Sequence, residues 1–174
     1  LTQIREAVRN VDPDLVFLQE VQGEHTAHRE KIAAWPTQSQ FEFLADSIWS
    51  HHAYGKNSVY DKGHHGNAIL SKYPIVRWSN EDISAHRFEQ RGALHVEIEV
   101  PGWTEPLYTL CVHLGLTGGG RLRQIRTLCK KIGRELHRDA PLIVAGDFND
   151  WRLKATEILQ QELGVCEVHV EANG

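Results

Sequence analysis

The spacing of apolar residues along the chain predicts four helices. The first lies at the start of the sequence, before Asp12-Pro13-Asp14 breaks the pattern, and its apolar residues are Leu1, Ile4, Val8 and Val11. The longest has an apolar face formed by Leu122, Ile125, Cys129, Ile132 and Leu136. Two shorter helices are expected around residues 41–50 and 154–163.

Short runs of apolar or alternating residues predict five strands. They are expected at residues 15–18, 67–70, 92–100, 107–112 and 142–145, and a last apolar patch lies at residues 165–170. The segment 35–66 is rich in aromatic residues, Gly, His and Asn and has no long periodic run. We therefore predict that this segment is mostly loop, apart from the helix at 41–50.

Length and composition indicate one globular domain. The 174 residues are 41% hydrophobic and 24% charged, and they contain no apolar run of the roughly 18 residues that a transmembrane helix needs. The first residues lack the pattern of a secretory signal, and Cys111, Cys129 and Cys166 form no CxxC pair. We expect a single domain over residues 1–174, without a transmembrane segment, in a monomeric cytoplasmic protein with reduced cysteines.

The charge balance limits the expected partners. A net charge of -4 and an isoelectric point near 6.3 argue against non-specific nucleic-acid binding as the main function, because such binding needs a basic surface. A basic stripe on the longest predicted helix is expected to be solvated, and it contains Arg123, Arg126, Lys130 and Arg134. A phosphate-bearing substrate can still be held locally.

Three of the most apolar predicted strands end on polar residues suited to chemistry. The first ends on Glu20, the second on His113, and the third on Gly146-Asp147-Phe148-Asn149. Because strand ends hold polar groups rigidly around a ligand, we expect these side chains to converge. Carboxylate oxygens suit Mg2+, and a neighbouring imidazole can transfer a proton or stabilise phosphoryl charge.

Four short motifs occur in the order found in the endonuclease/exonuclease/phosphatase family, which the sequence therefore resembles. They are Gln19-Glu20-Val21, Gly66-Asn67-Ala68-Ile69-Leu70-Ser71, Val112-His113-Leu114 and Gly146-Asp147-Phe148-Asn149. The family includes deoxyribonuclease I, apurinic endonucleases, sphingomyelinases and inositol phosphatases. Two longer stretches look most like small, uncharacterised bacterial members.

The resemblance implies an α/β fold like that of deoxyribonuclease I. This fold is a four-layer sandwich in which two mixed β-sheets pack together with helices outside. It also implies that the domain is incomplete over residues 1–174, because the family's first strand, with its Asn, and its C-terminal Asp-His segment have no counterpart here. Whether the isolated chain is active is left open.

The resemblance implies catalytic roles for three residues. His113 would hydrogen-bond to or protonate the phosphate, as the central histidine of the family does. Asp147 would orient or deprotonate the attacking water, and Asn149 would hold a phosphate oxygen beside it.

Metal and substrate contacts are implied in the same way. Glu20 would bind the metal ion, with Mg2+ as the expected metal and Mn2+ as an alternative. Arg91 matches an arginine that contacts phosphate in some members. Asn67 lies in a family motif and is expected to bind substrate or to shape its strand.

The implied reaction is a metal-assisted attack of water on a phosphate ester, with DNA as the first expected substrate. A phospholipid or a small phosphoester is the alternative substrate. A non-catalytic domain that binds phosphate or protein is the alternative of a different class.

Three further motifs are predicted to carry no chemistry. His51-His52 and His64-His65 are expected to be loop histidines, because neighbouring residues of an extended chain point apart. Gly118-Gly119-Gly120 lacks the Lys and Ser/Thr of a P-loop and is expected to be a flexible turn.

Overall fold

The computed structural model describes residues 1–25, 38–137, 139–150 and 154–168. The helices are α1 (Thr2–Val11), α2 (Gln40–Ala45), α3 (Gly118–Glu135) and α4 (Lys154–Leu163). The strands are β1 (Leu15–His25), β2 (His51–Tyr60), β3 (Gly63–Ser71), β4 (Ile75–Asp82), β5 (Gly92–Ile98), β6 (Leu107–His113) and β7 (Leu142–Asp147). In this part of the chain no helix is long and apolar enough to cross a membrane.

The strands form two sheets. In the three-stranded sheet, β3 lies between β1 and β2 and is antiparallel to both. The four-stranded sheet has the order β4-β5-β6-β7, in which only β6 and β7 are parallel to each other among the described strands. Parallel pairing places His113 opposite Asp147, so the polar ends of β6 and β7 lie side by side.

Three apolar clusters hold the layers together. The cluster between the sheets includes Ile69 and Leu94, which are both fully buried. A second cluster packs α3 and α4 against the four-stranded sheet and includes Leu110 and Ile125. The third packs α1 and α2 against the other sheet, around Trp49. This order of helix, sheet, sheet and helix confirms the predicted α/β sandwich.

The prediction of mostly loop for residues 35–66 is wrong for β2 and the start of β3. Sequence patterns did not indicate β2 because its buried positions are occupied by the small residues Ala53 and Gly55 rather than by large apolar ones. His51-His52 and His64-His65 therefore lie in strands and not in loops. Residues 26–37 lie outside the described residues.

β4 was also not predicted from the sequence. It is an edge strand that pairs only with β5 among the described strands, and its apolar residues Val76 and Trp78 are 57% and 50% exposed. Its remaining positions are mostly polar, so the apolar alternation of a half-buried strand is missing.

The prediction of a flexible turn at Gly118-Gly119-Gly120 is wrong, because these residues form the first turn of α3. Thr117 is the N-cap, and its hydroxyl oxygen accepts a hydrogen bond of 3.3 Å from the main-chain N–H of Gly120. This cap satisfies one of the free N–H groups at the helix start and offsets the low helix propensity of glycine.

Candidate active site

A bulge in β1 places Glu20 at the site. The pairing of β1 with β3 shifts between Leu18 and Val21, and Glu20 has a φ of 55°. Residues other than glycine rarely adopt this left-handed conformation, which costs about 1–3 kcal/mol. The Glu20 side chain is 62% exposed, and its Oε1 atom lies 3.7 Å from Nδ1 of His113.

His113 lies between two carboxylates at the end of β6. Its Nε2 atom lies 3.8 Å from Oδ2 of Asp147, on the side opposite to Glu20. Burial lowers the pKa of the imidazole and so does the charge of Arg91, while Glu20 and Asp147 act in the opposite direction. The lowered pKa favours the neutral imidazole, in which one ring nitrogen is a donor and the other an acceptor.

The exit from β7 is shaped by Gly146 and Asn149. Gly146 has a φ of 141°, and a Cβ atom added there would lie 1.9 Å from the main-chain oxygen of Val112, so only glycine fits. Asp147 then forms an Asx turn, in which Oδ1 accepts a hydrogen bond of 2.9 Å from the main-chain N–H of Asn149. The turn leaves Oδ2 of Asp147 facing His113.

Arg91 brings a positive charge to the same place. Its side chain is 14% exposed, and its guanidinium lies between two carboxylates. Nη1 of Arg91 lies 3.9 Å from Oε1 of Glu20, and Nη2 of Arg91 lies 3.4 Å from Oε1 of Glu89. Oε1 of Glu89 also accepts a hydrogen bond of 3.2 Å from the main-chain N–H of Leu116. The carboxylate of Glu89 thus connects Arg91 to the loop that follows β6.

Sequence reasoning did not identify Glu89. It lies in a short irregular segment before β5 and belongs to none of the four motifs that carry the family resemblance. The one signal in the sequence is an acidic residue two positions before Arg91. Sequence alone does not indicate that this residue contacts the site.

Asn67 lies beneath these side chains, in β3, and is 1% exposed. Its Nδ2 atom donates hydrogen bonds of 3.0 Å to the main-chain oxygens of Gly92 and Cys111. These bonds tie the three-stranded sheet to the four-stranded sheet. Direct contact of Asn67 with a substrate stays a prediction.

The site contains oxygen donors for a divalent cation. Among the described residues, no group of three or more His, Cys, Asp or Glu side chains is arranged to hold a metal ion. Mg2+ needs less than such a cage, because it keeps several waters and binds through one or two carboxylates together with substrate phosphates. Glu20, whose side chain is 62% exposed, fits that mode of binding.

A polar cleft extends from the site past Arg91. Its volume is about 220 Å3, and it is lined by Lys56, Asn57, Asn80, Asp82, Ser84, Gln90, Arg91 and Gly92. Its cationic and amide groups can hydrogen-bond to oxygen atoms of a ligand. The guanidinium of Arg91 is therefore shared by the cleft and by the cluster around His113.

Comparisons with known proteins identify a family and similar folds. The model of the endonuclease/exonuclease/phosphatase family matches residues 1–157. The chain is 45% identical over 174 residues to the uncharacterized protein YbhP of Escherichia coli (strain K12), covering all of this chain and 68% of that protein.

Solved structures are similar in fold. TDP2 of D. rerio, complexed with single strand DNA product, has a TM-score of 0.63 at 21% identity, over 90% of this chain and 56% of that one. ANGEL2, a 2',3'-cyclic phosphatase in complex with adenosine-2',3'-vanadate, has a TM-score of 0.67 at 18% identity, over 92% of this chain and 46% of that one. Sphingomyelinase C from Streptomyces griseocarneus has a TM-score of 0.61 at 18% identity, over 91% of this chain and 62% of that one. The chain thus spans about half the length of these solved chains.

Proposed function

The chain belongs to the endonuclease/exonuclease/phosphatase family, and on this basis we propose that it is a metal-dependent phosphoesterase that uses Mg2+ or Mn2+. The observation that carries the proposal is the position of His113 between two carboxylates, 3.7 Å from Glu20 and 3.8 Å from Asp147. An imidazole, two exposed carboxylates and a nearby guanidinium are groups that can transfer protons and stabilise negative charge during hydrolysis of a phosphate ester.

Each side chain has a role that follows from its position. Glu20 would hold the metal ion, which when bound supplies positive charge that polarises a phosphate oxygen. Arg91 binds phosphate oxygens through its planar guanidinium. His113 donates a hydrogen bond to the phosphate from its ring N–H.

Asp147 and Asn149 act on the water and on the phosphate. Asp147 accepts a proton from the attacking water and orients it, because its Oδ2 faces the site while its Oδ1 is fixed by the Asx turn. The Asn149 amide has two N–H donors, and one of them is used by the main-chain oxygen of Leu114. The other can bind a phosphate oxygen.

A phosphodiester is the proposed substrate, with DNA first. The structural relatives include a protein complexed with single strand DNA product and a protein in complex with an adenosine-2',3'-vanadate. A sphingomyelinase among the relatives supports the alternative of a phospholipid or a small phosphoester. The other alternative is a binding domain that has the fold without the chemistry.

We also propose that residues 1–174 belong to a single domain. Support comes from the cluster between the sheets, in which Ala53 and Ile69 of one sheet pack with Leu94 and Val96 of the other. Neither sheet can be removed without exposing this apolar surface.

A substrate panel tests the proposed function. The full-length protein is incubated with plasmid DNA, single-stranded DNA, sphingomyelin vesicles and a small phosphomonoester, each with Mg2+, Mn2+ or EDTA. Hydrolysis of at least one ester that depends on the metal is expected, and the preferred ester identifies the substrate class. Binding of inorganic phosphate without hydrolysis of any ester would favour the binding domain instead.

A further inference from the structure

The turn formed by residues 86–89 carries an exposed aromatic residue beside the active site. The main-chain N–H of Glu89 donates a hydrogen bond of 3.2 Å to the oxygen of His86, and the two residues form an isolated β-bridge. Phe88 is 86% exposed, and Cζ of Arg87 lies 4.6 Å from the centroid of its ring. A phenyl ring at the tip of a tight turn loses the stabilisation that burial would give it.

Glu89 fixes this turn to the active site. Its carboxylate contacts the guanidinium of Arg91 and accepts the N–H of Leu116, as described above. Leu116 itself is 70% exposed and follows His113 by three residues. Glu89 therefore links the turn that carries Phe88 to the loop that carries Leu116, at the border of the site.

Positive charges lie among these apolar side chains. Nη2 of Arg123 lies 3.1 Å from Nε2 of His86. Nη1 of Arg121 donates hydrogen bonds to the main-chain oxygens of Gly115 and Leu116, at 3.2 and 2.7 Å. We call residues 86–88, Leu116, Arg121 and Arg123 the rim. The rim combines an aromatic face, an aliphatic side chain and several cations within a protein whose net charge is -4.

We propose that the rim binds a nucleobase next to the phosphate held in the active site, with the base stacked on Phe88 and a neighbouring phosphate near Arg121 and Arg123. This inference rests on the proposed function, since the phosphate must occupy the site. Sites for single-stranded nucleic acid combine aromatic side chains that stack on bases with cations that follow the backbone. Such stacking does not depend on base identity, so the rim selects unpaired nucleotides without reading a sequence.

A membrane is a poorer fit to the rim. Its exposed apolar surface consists of Phe88 and Leu116, and the acidic Glu89 lies between them. Stable attachment to a membrane takes more apolar area than these two side chains supply. Vesicle binding is therefore an outcome of the test and not the proposal.

A binding experiment tests the rim without hydrolysis. The full-length protein is titrated, in EDTA and low salt, with a fluorescein-labelled oligothymidylate and with an abasic oligomer that has the same number of phosphates. We expect the oligothymidylate to bind about tenfold tighter than the abasic oligomer. Phe88→Ala should remove this difference, and Phe88→Trp should keep it.

Trp103→Ala is the matched control. Trp103 is 54% exposed and lies in the turn between β5 and β6, at the sheet end opposite to His113, so its loss should leave the difference unchanged. Equal binding of the two oligomers by the wild type would overturn the inference, as would a Phe88→Ala variant that keeps the tenfold difference. Binding to phosphatidylglycerol vesicles that is lost in Phe88→Ala, with no preference for the oligomer that has bases, would show that the rim binds a membrane and not a nucleobase.

A pair of substrates separates this inference from the proposed function. The p-nitrophenyl ester of thymidine 5'-phosphate and methyl p-nitrophenyl phosphate share a leaving group, and the second has a methyl group in place of the nucleoside. Phe88→Ala should lower kcat/KM about tenfold for the nucleotide ester and leave the methyl ester unchanged. If neither ester is hydrolysed but the base preference in binding persists, the proposed hydrolysis is contradicted and base binding at the rim is supported. If both esters are hydrolysed and Phe88→Ala has no effect, base binding at the rim is contradicted and the proposed hydrolysis is supported.

Discussion

Nδ2 of Asn149 donates a hydrogen bond of 2.9 Å to the main-chain oxygen of Leu114. This bond joins the segment that follows β7 to the segment that follows β6. Asn149 has a φ of 48°, a left-handed conformation that asparagine tolerates better than most residues. The two strand ends that carry Asp147 and His113 are therefore held together by the protein itself.

The alanine and glycine variants of Asn149 should lose similar activity but different amounts of stability. Asn149→Ala loses the hydrogen bond, worth about 1 kcal/mol, and adds left-handed strain of about 1–2 kcal/mol. Asn149→Gly loses the same bond without the strain. We expect both variants to lose about a hundredfold in kcat, as when one phosphate-binding donor is removed, while urea unfolding shows a larger loss of stability for alanine. Equal destabilisation by the two substitutions would contradict this account of the backbone.

Arg91 should contribute to substrate binding through its planar guanidinium. Arg91→Ala is expected to raise KM about tenfold or more, because a charge-assisted hydrogen bond contributes about 1.5–3 kcal/mol. Arg91→Lys should recover little, since an ammonium cannot contact Glu20, Glu89 and phosphate together. Steady-state kinetics with a phosphodiester measure both variants. Arg126→Ala removes an exposed positive charge from α3 and serves as the control that leaves KM unchanged.

The sequence predicted the parts of the fold in which apolar periodicity is strong. α4 was predicted over its observed bounds, and β5, β6 and β7 within two residues at either end, because each contains large apolar residues at the spacing of a helix or in a strand-like run. β2 and β4 were missed, since their burial depends on small residues or on one face of an edge strand. Apolar periodicity cannot indicate such strands before their partners are in place.

The candidate site was predictable where residues lie at strand ends or in family motifs. Glu20, His113, Asp147, Asn149 and Arg91 are brought together as expected. Glu89 and the rim were not predicted, because the turn of residues 86–89 reaches the site through contacts between segments distant in sequence. Nothing in the sequence indicated that the turn of residues 86–89 would contact Arg123 of α3 through His86.

Glu89 should act on catalysis by positioning Arg91. Glu89→Gln keeps an oxygen that can accept the N–H of Leu116 but loses the negative charge that holds the guanidinium. We expect a KM increase of about threefold to tenfold with little change in kcat, and a larger increase for Glu89→Ala, which loses both contacts. A fall in kcat with KM unchanged in the glutamine variant would instead indicate that Glu89 acts on the transition state.

His95 should make stability depend on pH. It is 5% exposed, and burial lowers its pKa, while Glu135, Glu97 and Glu81 act in the opposite direction and Arg77 acts with burial. Above the ordinary value of 6.5 the imidazole is neutral in both the folded and the unfolded chain. As pH falls below 6.5, the unfolded chain binds the proton first, so stability decreases until the lowered pKa of the folded chain is passed.

The measurement is urea unfolding of the wild type and of His95→Leu between pH 7.5 and 5. The wild type should lose more stability than the variant over this range. An identical pH dependence in His95→Leu and the wild type would show that His95 does not titrate differently on folding.

Hydrolysis of bis-p-nitrophenyl phosphate by the full-length protein is the decisive test of the proposed phosphoesterase activity. The assay compares Mg2+, Mn2+ and EDTA, and compares the wild type with His113→Ala and with His137→Ala, which removes an exposed histidine paired with Glu105. We predict turnover that requires the metal, that is lost by a hundredfold or more in His113→Ala, and that is unchanged in His137→Ala. Turnover that persists in EDTA, or that is equal in His113→Ala and the wild type, would contradict a metal-dependent phosphoesterase centred on His113.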